Sequence, residues 1–194
     1  MNRRRALAHL TVLAALAWVP RHAPADPGLR PLVDVDRSMV LGTITVRAFI
    51  DVPVDARAAW EVLTDYDRLA QFVPDMRESR LVSKPGQPHR VFQRGEKSWL
   101  ILDAPFEVLM QMDETPPSHI VFHQLSGTLR DMYGEWRLLP LRGGVRITYY
   151  ARMEPGLLSP RAPGDTVLIR ADIERMLVAI GNEMLRRQAV RPRP

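Results

Sequence analysis

The hydrophobic patterns of this 194-residue sequence predict an α+β fold, in which a curved antiparallel sheet of about six to seven strands wraps around one long C-terminal helix. Three observations support this prediction. Apolar and polar residues alternate with a period of two near residues 40–50 and through much of 76–154, which is typical of half-buried strands. Two short helical segments follow the first strand. From about residue 165 the period becomes helical and remains so to residue 188.

The first strand and the two short helices have recognisable ends. The apolar face of the strand carries every second residue, apart from one gap, and consists of Val40, Ile44, Val46, Ala48 and Ile50. Pro53 ends the strand, and Asp55 is a helix N-cap for residues 56–63. A second short helix covers residues 66–72, and Pro74 stops it because proline cannot continue a helix.

The middle of the chain reads as a succession of antiparallel strands. We expect strands at residues 76–83, 90–94, 99–102, 106–112, 120–122, 132–138 and 145–153. Turns are expected at 85–88, 116–117 and 127, and the Gly143-Gly144 pair predicts a hairpin. Gly95 and Glu96 indicate either a tight turn or a bulge.

The last element is a long amphipathic helix over residues 165–188, after a proline- and glycine-rich segment at 155–164. Its apolar stripe recurs at helical spacing and consists of Ile169, Ile173, Met176, Leu177, Ile180, Met184 and Leu185. A membrane-surface helix is the alternative, but the polar face mixes acidic residues with its arginines, whereas interfacial helices are more uniformly basic. The stripe therefore predicts packing on the sheet.

The N-terminus has the three parts of a secretory signal. Arg3, Arg4 and Arg5 precede a 14-residue apolar stretch at 6–19, and Ala23-Pro24-Ala25 is a cleavage sequence. We expect a signal peptide at 1–25, an irregular lead-in at 26–38, one domain at 39–190 and a tail at 191–194. The product would be periplasmic or secreted. An uncleaved anchor, a core helix and a twin-arginine signal are the alternatives.

Composition excludes several classes of function. The net charge of +5 arises mainly from the leader, because without its four arginines 23 basic residues face 22 acidic ones. A nucleic-acid partner is therefore not indicated. The chain has no cysteine, which excludes disulfides, a cysteine-ligated zinc and a cysteine nucleophile.

Neither a metal site nor a catalytic motif is recognisable. His119 and His123 share a face of one predicted strand but lie about 13 Å apart, at ~3.3 Å per residue, so one metal ion cannot join them. We interpret both, with the solvated His89, as surface residues. Asp113 and Glu114 are expected to solvate a turn. The other carboxylates near the short helices are expected to cap helices and turns, namely Asp65, Asp67 and Asp75. No catalytic residue, metal or cofactor is predicted.

Several motifs resemble the START-like (SRPBCC) superfamily, and most closely its polyketide cyclase/dehydrase and coenzyme-Q-binding group. They are WEVLTDYD at 60–67, FVPD at 72–75, GEWRL at 134–138 and GGVRITY at 143–149. The resemblance covers roughly residues 43–187. It implies a helix-grip fold that binds lipids, quinones, sterols or polyketides. Members share no common catalytic set, so no catalytic role is transferred to this chain.

The aromatic and methionine residues suggest an adaptable apolar cavity. Each could instead be ordinary core. The residues predicted to line the cavity are Trp60, Phe72, Arg94, Trp99, Phe106, Met110, Phe122, Met132, Trp136, Tyr149, Ile173, Met176 and Ile180. Met112 and Met184 also fall on predicted inward faces, while Arg94, Tyr133 and Tyr150 are candidates to orient the polar end of a ligand.

Three functions are consistent with these features. The first is a binding or carrier protein for a hydrophobic small molecule, such as a lipid, an isoprenoid quinone or a polyketide-like aromatic, with transient membrane contact during ligand exchange. The second is a cyclase or dehydratase, which requires ionisable groups with shifted pKa values inside the cavity. The third is an interaction module whose core is filled by its own side chains and which exposes an apolar patch.

Overall fold

The computed structural model describes residues 28–38, 41–96, 106–155 and 164–190, and their strands form one antiparallel sheet. The sheet order is β1-β2-β8-β7-β6-β5-β4-β3. Its strands are β1 (Leu32–Arg37), β2 (Ile44–Val52), β3 (Met76–Leu81), β4 (His89–Gly95), β5 (Phe106–Thr115), β6 (His119–Gly127), β7 (Asp131–Leu141) and β8 (Gly144–Glu154). The α+β prediction is confirmed, with eight strands in place of six to seven.

The additional strand is β1, which lies inside the segment expected to be irregular. Its six residues pair with β2 in a register that runs from Leu32 opposite Phe49 to Arg37 opposite Ile44. The expectation of an irregular 26–38 is therefore wrong for this stretch. Pro31 lies just before the strand, where its missing N–H removes no ladder hydrogen bond. The expected signal peptide, the strand at 99–102 and the tail at 191–194 lie outside the described residues.

Three helical segments accompany the sheet. Helix α1 (Ala56–Leu63) begins as predicted at Asp55, whose Oδ1 accepts a 2.7 Å hydrogen bond from the Ala58 backbone N–H. A 3₁₀ helix covers Tyr66–Gln71. Helix α2 (Asp165–Val190) packs against β1, β2 and α1. Because α2 lies over one side of the sheet, the inward faces of the remaining strands need other side chains to cover them.

Two features hold α2 to this side of the sheet. Arg37 of β1 forms a 2.6 Å ion pair with Asp165 at the start of the helix, and both side chains are nearly buried. The guanidinium of Arg170 donates a hydrogen bond to the Val33 backbone carbonyl. The newly recognised strand β1 is thus part of the support for the helix.

Glycine is required at two of the predicted turns. Gly143 has φ +85°, in the region that favours glycine, and joins β7 to β8 where Leu141 pairs with Gly144, so the hairpin is confirmed. Gly95 ends β4 opposite Met76, at a register irregularity of β3. A side chain at Gly95 would collide with the Asp75 backbone carbonyl oxygen, which explains the glycine at this bulge.

Candidate functional site

An apolar space lies between α2, the 3₁₀ helix and the inward face of the sheet. It has two adjoining chambers, an inner one of about 90 Å³ and an outer one of about 100 Å³. The inner chamber is lined by Leu63, Tyr66, Leu69, Val73, Met76, Gln93, Met110, Met112, Ile120, Phe122, Met132, Trp136, Tyr149, Met176 and Ile180. None of these side chains is an acid, a lysine, an arginine or a histidine.

The outer chamber shares a wall with the inner one and has a charged rim. Residues common to both chambers are Val73, Met76, Gln93, Met132, Tyr149 and Met176. The outer chamber adds Asp75, Arg94, Gly95, Phe106, Met153, Ile169, Asp172 and Ile173. Among the described residues, the charged side chains that line the space belong to the outer chamber.

The rim charges are already engaged with one another. Arg175 lies on α2 between two carboxylates, with its Nη2 2.8 Å from Asp75 and 2.7 Å from Asp172. Arg94 approaches Glu78 at 3.4 Å. Since Asp75 belongs to the segment before β3, the Arg175 pair joins α2 to the sheet edge beside the outer chamber.

Ten of the thirteen residues expected at the cavity lie against one of the two chambers. They are Arg94, Phe106, Met110, Phe122, Met132, Trp136, Tyr149, Ile173, Met176 and Ile180. Trp99 lies outside the described residues. The position of the ten is a structural fact, whereas their contact with a ligand stays a prediction.

Trp60 and Phe72 do not line either chamber, and their contact with a ligand stays a prediction. Both are half-buried and pack against the core. The guanidinium carbon of Arg187, on α2, lies 5.8 Å from the centre of the Phe72 ring. On short helices the apolar residues can cover a neighbouring helix instead of the sheet, and here packing outside the cavity prevails.

Tyr133 and Tyr150 also lie away from the cavity. Tyr133 is exposed, and the two rings contact each other edge-to-face at 6.5 Å on neighbouring strands. They alternate with Met132 and Tyr149, which point inward. Neither hydroxyl lines the chambers, so neither is placed to orient a ligand there.

Several cavity residues that the sequence patterns did not predict lie on the 3₁₀ helix or directly after it. Tyr66, Leu69 and Val73 follow one another at spacings of three and four residues, which is the signal that could have found them. Met112 and Ile120 alternate with residues that were predicted correctly. Gln93 carried no signal, because a polar residue on an expected strand reads as solvent-facing.

Tyr66, which lines the inner chamber, forms a hydrogen bond with Glu114, a carboxylate that was expected to solvate a turn. The Tyr66 hydroxyl donates a 2.7 Å hydrogen bond to Glu114 Oε1, and His89 Nδ1 lies 2.7 Å from the same oxygen. The Glu114 side chain is only 16% exposed. The expectation that Glu114 solvates a turn is therefore wrong. His89 is partly exposed, as expected of a surface residue, but its ring contacts Glu114.

The carboxylates expected as caps mostly form ties between elements. Asp67 Oδ1 accepts from the Leu81 backbone N–H at 2.8 Å, which connects the 3₁₀ helix to β3. Asp65 accepts no side-chain cap bond but lies 2.7 Å from Arg187 of α2. These contacts hold the 3₁₀ helix in place as one wall of the cavity.

Burial sets the protonation state of the two cavity tyrosines. It raises the pKa of Tyr149, and it raises the pKa of Tyr66 together with the hydrogen bond to Glu114. Both hydroxyls therefore remain neutral at physiological pH. Neither is a proton donor or acceptor suited to acid–base catalysis near neutrality.

The described residues include no cluster of three or more His, Asp or Glu side chains that could hold a metal ion. His119 and His123 instead face carboxylates, with Nε2 of His119 2.9 Å from Glu135 and Nδ1 of His123 3.7 Å from Asp113. In the part of the chain that the structure covers, no helix has the length and apolar character needed to cross a membrane.

A curved antiparallel sheet that encloses an apolar space with a long C-terminal helix defines the helix-grip class of START-like domains. A family model described as "Polyketide cyclase / dehydrase and lipid transport" matches residues 52–179, about two thirds of the chain. This chain belongs to that family. No curated protein matches the sequence.

Solved structures share the fold at low identity. The Zhui aromatase/cyclase from Streptomyces sp. R1128 aligns with a TM-score of 0.59 and 19% identity, over 75% of this chain and 96% of the other. The STAR-related lipid transfer protein from Xanthomonas axonopodis aligns at 0.60 and 16%, over 80% and 93%. A START superfamily protein from Mycobacterium smegmatis aligns at 0.62 and 14%, over 73% and 97%. These similarities establish the fold alone.

Proposed function

We propose that this protein binds a hydrophobic small molecule between α2 and the sheet, and that it acts as a carrier. A lipid, an isoprenoid quinone or a polyketide-like aromatic fits this description. The observation that carries the proposal is the inner chamber, which is apolar and whose described lining residues include no ionised side chain. Membership of a family described by both cyclisation and lipid transport supports a hydrophobic ligand without selecting one.

The driving force for binding would be burial of apolar surface. Each methylene removed from water contributes about 0.8 kcal/mol. A ten-carbon ligand thus gains roughly 8 kcal/mol before the costs of association. Those costs consume several kcal/mol, so a fully enclosed ligand of this size binds in the submillimolar to millimolar range, and micromolar binding needs more enclosed carbon atoms or additional polar contacts.

The two chambers constrain ligand size. A cavity of about 150 Å³ is known to take one benzene ring, so chambers of about 90 and 100 Å³ together suit about one ring as they stand. Their lining includes six of the nine methionines in the chain, namely Met76, Met110, Met112, Met132, Met153 and Met176. Methionine side chains are long and adaptable, so they can rotate to admit a larger ligand.

The cavity chemistry favours a carrier over a cyclase or dehydratase. Acid–base catalysis needs a group whose pKa lies near the working pH. The ionisable groups of the inner chamber are Tyr66 and Tyr149, whose raised pKa values keep them neutral. At the rim, Asp75 and Asp172 both pair with Arg175. The third alternative, a filled core, disagrees with the two chambers.

We also propose that the carrier works in the periplasm or outside the cell. The basic residues, apolar stretch and Ala23-Pro24-Ala25 sequence of the N-terminus support this placement. A protein at that location would collect its ligand from a membrane surface or deliver it to one.

The first test is native mass spectrometry of the protein purified from the periplasm, followed by solvent extraction. We expect an apolar compound in nearly equimolar amount with the protein, and a polypeptide mass that corresponds to a chain starting at Asp26. A polypeptide mass that includes residues 1–25 would contradict the proposed processing. If the purified protein carries no ligand, titration with an added probe decides whether the cavity binds one.

The second test measures binding of toluene by NMR titration, because its single ring matches the size of the chambers. Met176→Trp places an indole in the wall shared by both chambers, and we expect it to abolish binding. Leu168→Trp is the matched control, because this residue is exposed on the same helix. Equal binding by both folded variants, or no binding by the wild type, would overturn the proposed function.

A further inference from the structure

The wall shared by the two chambers contains four apolar residues and two polar ones, Tyr149 and Gln93. Tyr149 lies on β8 and is only 6% exposed. Its ring is held by Phe122, stacked at 6.2 Å, and by Trp136, whose centroid lies 4.4 Å away. The ring position is therefore set by packing and not by its hydroxyl.

The Tyr149 hydroxyl has no hydrogen-bond partner among the described residues. Burial by itself accounts for the raised pKa of this group, with no hydrogen bond contributing. Its oxygen is not one of the fully enclosed unpartnered side-chain atoms of the described residues, so it borders the open space of the chambers, where an oxygen of a bound ligand could accept its hydrogen bond. Tyr66 differs, since its hydroxyl is already donated to Glu114.

Gln93 supplies further hydrogen-bonding capacity on the same wall. Its Nε2 donates to Ser79 Oγ at 3.4 Å, and Ser79 is buried. That bond uses one of the two amide N–H groups and orients the side chain. One N–H and the carbonyl oxygen are left for other partners. The middle of the cavity thus offers neutral donors and no cation.

We propose that Tyr149 is a specificity-determining residue that donates a hydrogen bond to an oxygen of the bound ligand, with Gln93 beside it. The ligand is then an uncharged apolar molecule with an accepting oxygen, such as an aryl ketone. Carboxylates are disfavoured, because the arginines at the rim, Arg94 and Arg175, already face acids. This inference rests on the proposed function and names the ligand class for the same cavity.

The test compares three probes of one size. Acetophenone carries a carbonyl, α-methylstyrene has a methylene in its place, and benzoate is charged. Binding is measured by NMR titration with the wild type, Tyr149→Phe and Tyr150→Phe. Tyr150→Phe is the matched control, because it removes the same atom from the neighbouring residue, whose side chain does not line the chambers.

We expect the ratio of the acetophenone affinity to the α-methylstyrene affinity to be about 3- to 10-fold higher for the wild type and Tyr150→Phe than for Tyr149→Phe, the range of one net hydrogen bond. Tyr149→Phe should bind acetophenone less tightly than the wild type does, because the ligand carbonyl is then buried without a donor. The carbonyl stretching band of bound acetophenone should shift to lower wavenumber in the wild type and not in Tyr149→Phe.

Each other outcome overturns a defined part of the argument. An acetophenone to α-methylstyrene affinity ratio that is the same in the wild type and Tyr149→Phe refutes the role of Tyr149 and leaves the proposed function intact. The same holds if benzoate binds most tightly or if the two variants behave alike. If neither neutral probe binds to any of the three proteins, the apolar cavity takes no ligand and the proposed function fails too.

Discussion

Gly134 lies in the middle of β7, directly opposite Phe122 of β6, and the absence of a side chain there shapes the cavity. A Cβ at this position would lie 2.8 Å from Phe122 Cε2, and nearer still to Phe122 Cζ and to the Tyr150 backbone carbonyl oxygen. Carbon atoms pack at 3.5–4.0 Å, so the Phe122 ring would have to move by roughly 1 Å. Phe122 also lines the inner chamber, and movement of its ring would alter that space.

Gly134→Ala should therefore lower both stability and ligand affinity. Overpacking costs about 1–3 kcal/mol, and the clash with a backbone oxygen places this site in the upper half of that range, about 2–3 kcal/mol. Alanine recovers about 0.5–1 kcal/mol because glycine is unfavourable within a strand. The net loss of roughly 1–2.5 kcal/mol corresponds to a melting temperature about 2–10 °C lower for a domain of this size. Thermal unfolding measures the first effect, and toluene titration measures the second.

Two further variants show whether the clash with the Phe122 ring causes these effects. Gly181 is also buried, but its added Cβ would come close only to the flexible end of Leu29, so Gly181→Ala should be neutral or slightly stabilising. In a Phe122→Leu background the ring is absent, and the effect of Gly134→Ala should shrink. A melting temperature of Gly134→Ala equal to or above that of the wild type would refute the reasoning.

Two other predictions concern α2. Ile180→Asp places a charge in the inner chamber wall, so it should lower the free energy of unfolding by several kcal/mol or abolish probe binding, as measured by urea unfolding and titration. Asn182→Asp is the exposed control on the same helix and should have neither effect. Wild-type behaviour of Ile180→Asp would show that the apolar stripe of α2 faces solvent. Hydrogen bonds from Arg186 and Arg187 lower the pKa of Glu183 from 4.5 to about 2, so its stabilisation, roughly 2–3 kcal/mol, is complete above pH 4.5 and is lost as the pH falls towards 2. Glu183→Gln should thus unfold more easily than the wild type at pH 7 and approach it near pH 2, and a difference independent of pH would contradict the assignment.

The architecture was largely predictable because its signals are local. The period of two in β5 and β8 and the period of 3.6 in α2 are properties of short windows of sequence. Side chains on those regular elements, such as Met110, Tyr149 and Ile180, were therefore assigned correctly to the inward face. Strand β1 was missed because two nearby prolines outweighed a short alternation.

The cavity could be predicted only in part, for the opposite reason. Trp60 and Phe72 lie outside the two chambers, because a short helix offers its apolar residues more than one partner. Glu114 was misread because Tyr66, its hydrogen-bond donor, is 48 residues away in sequence. No local pattern contains that pairing.

Local periodicity, turn residues and motif resemblance were enough to establish the α+β order, the C-terminal helix and an inward face rich in methionine and aromatic residues. Tertiary packing decided where space remains between those side chains and which polar groups within it lack a partner. A void and an unpaired hydroxyl arise from the arrangement of elements remote in sequence. The chambers and the free donor of Tyr149 therefore became visible only when α2, the 3₁₀ helix and the sheet were brought together.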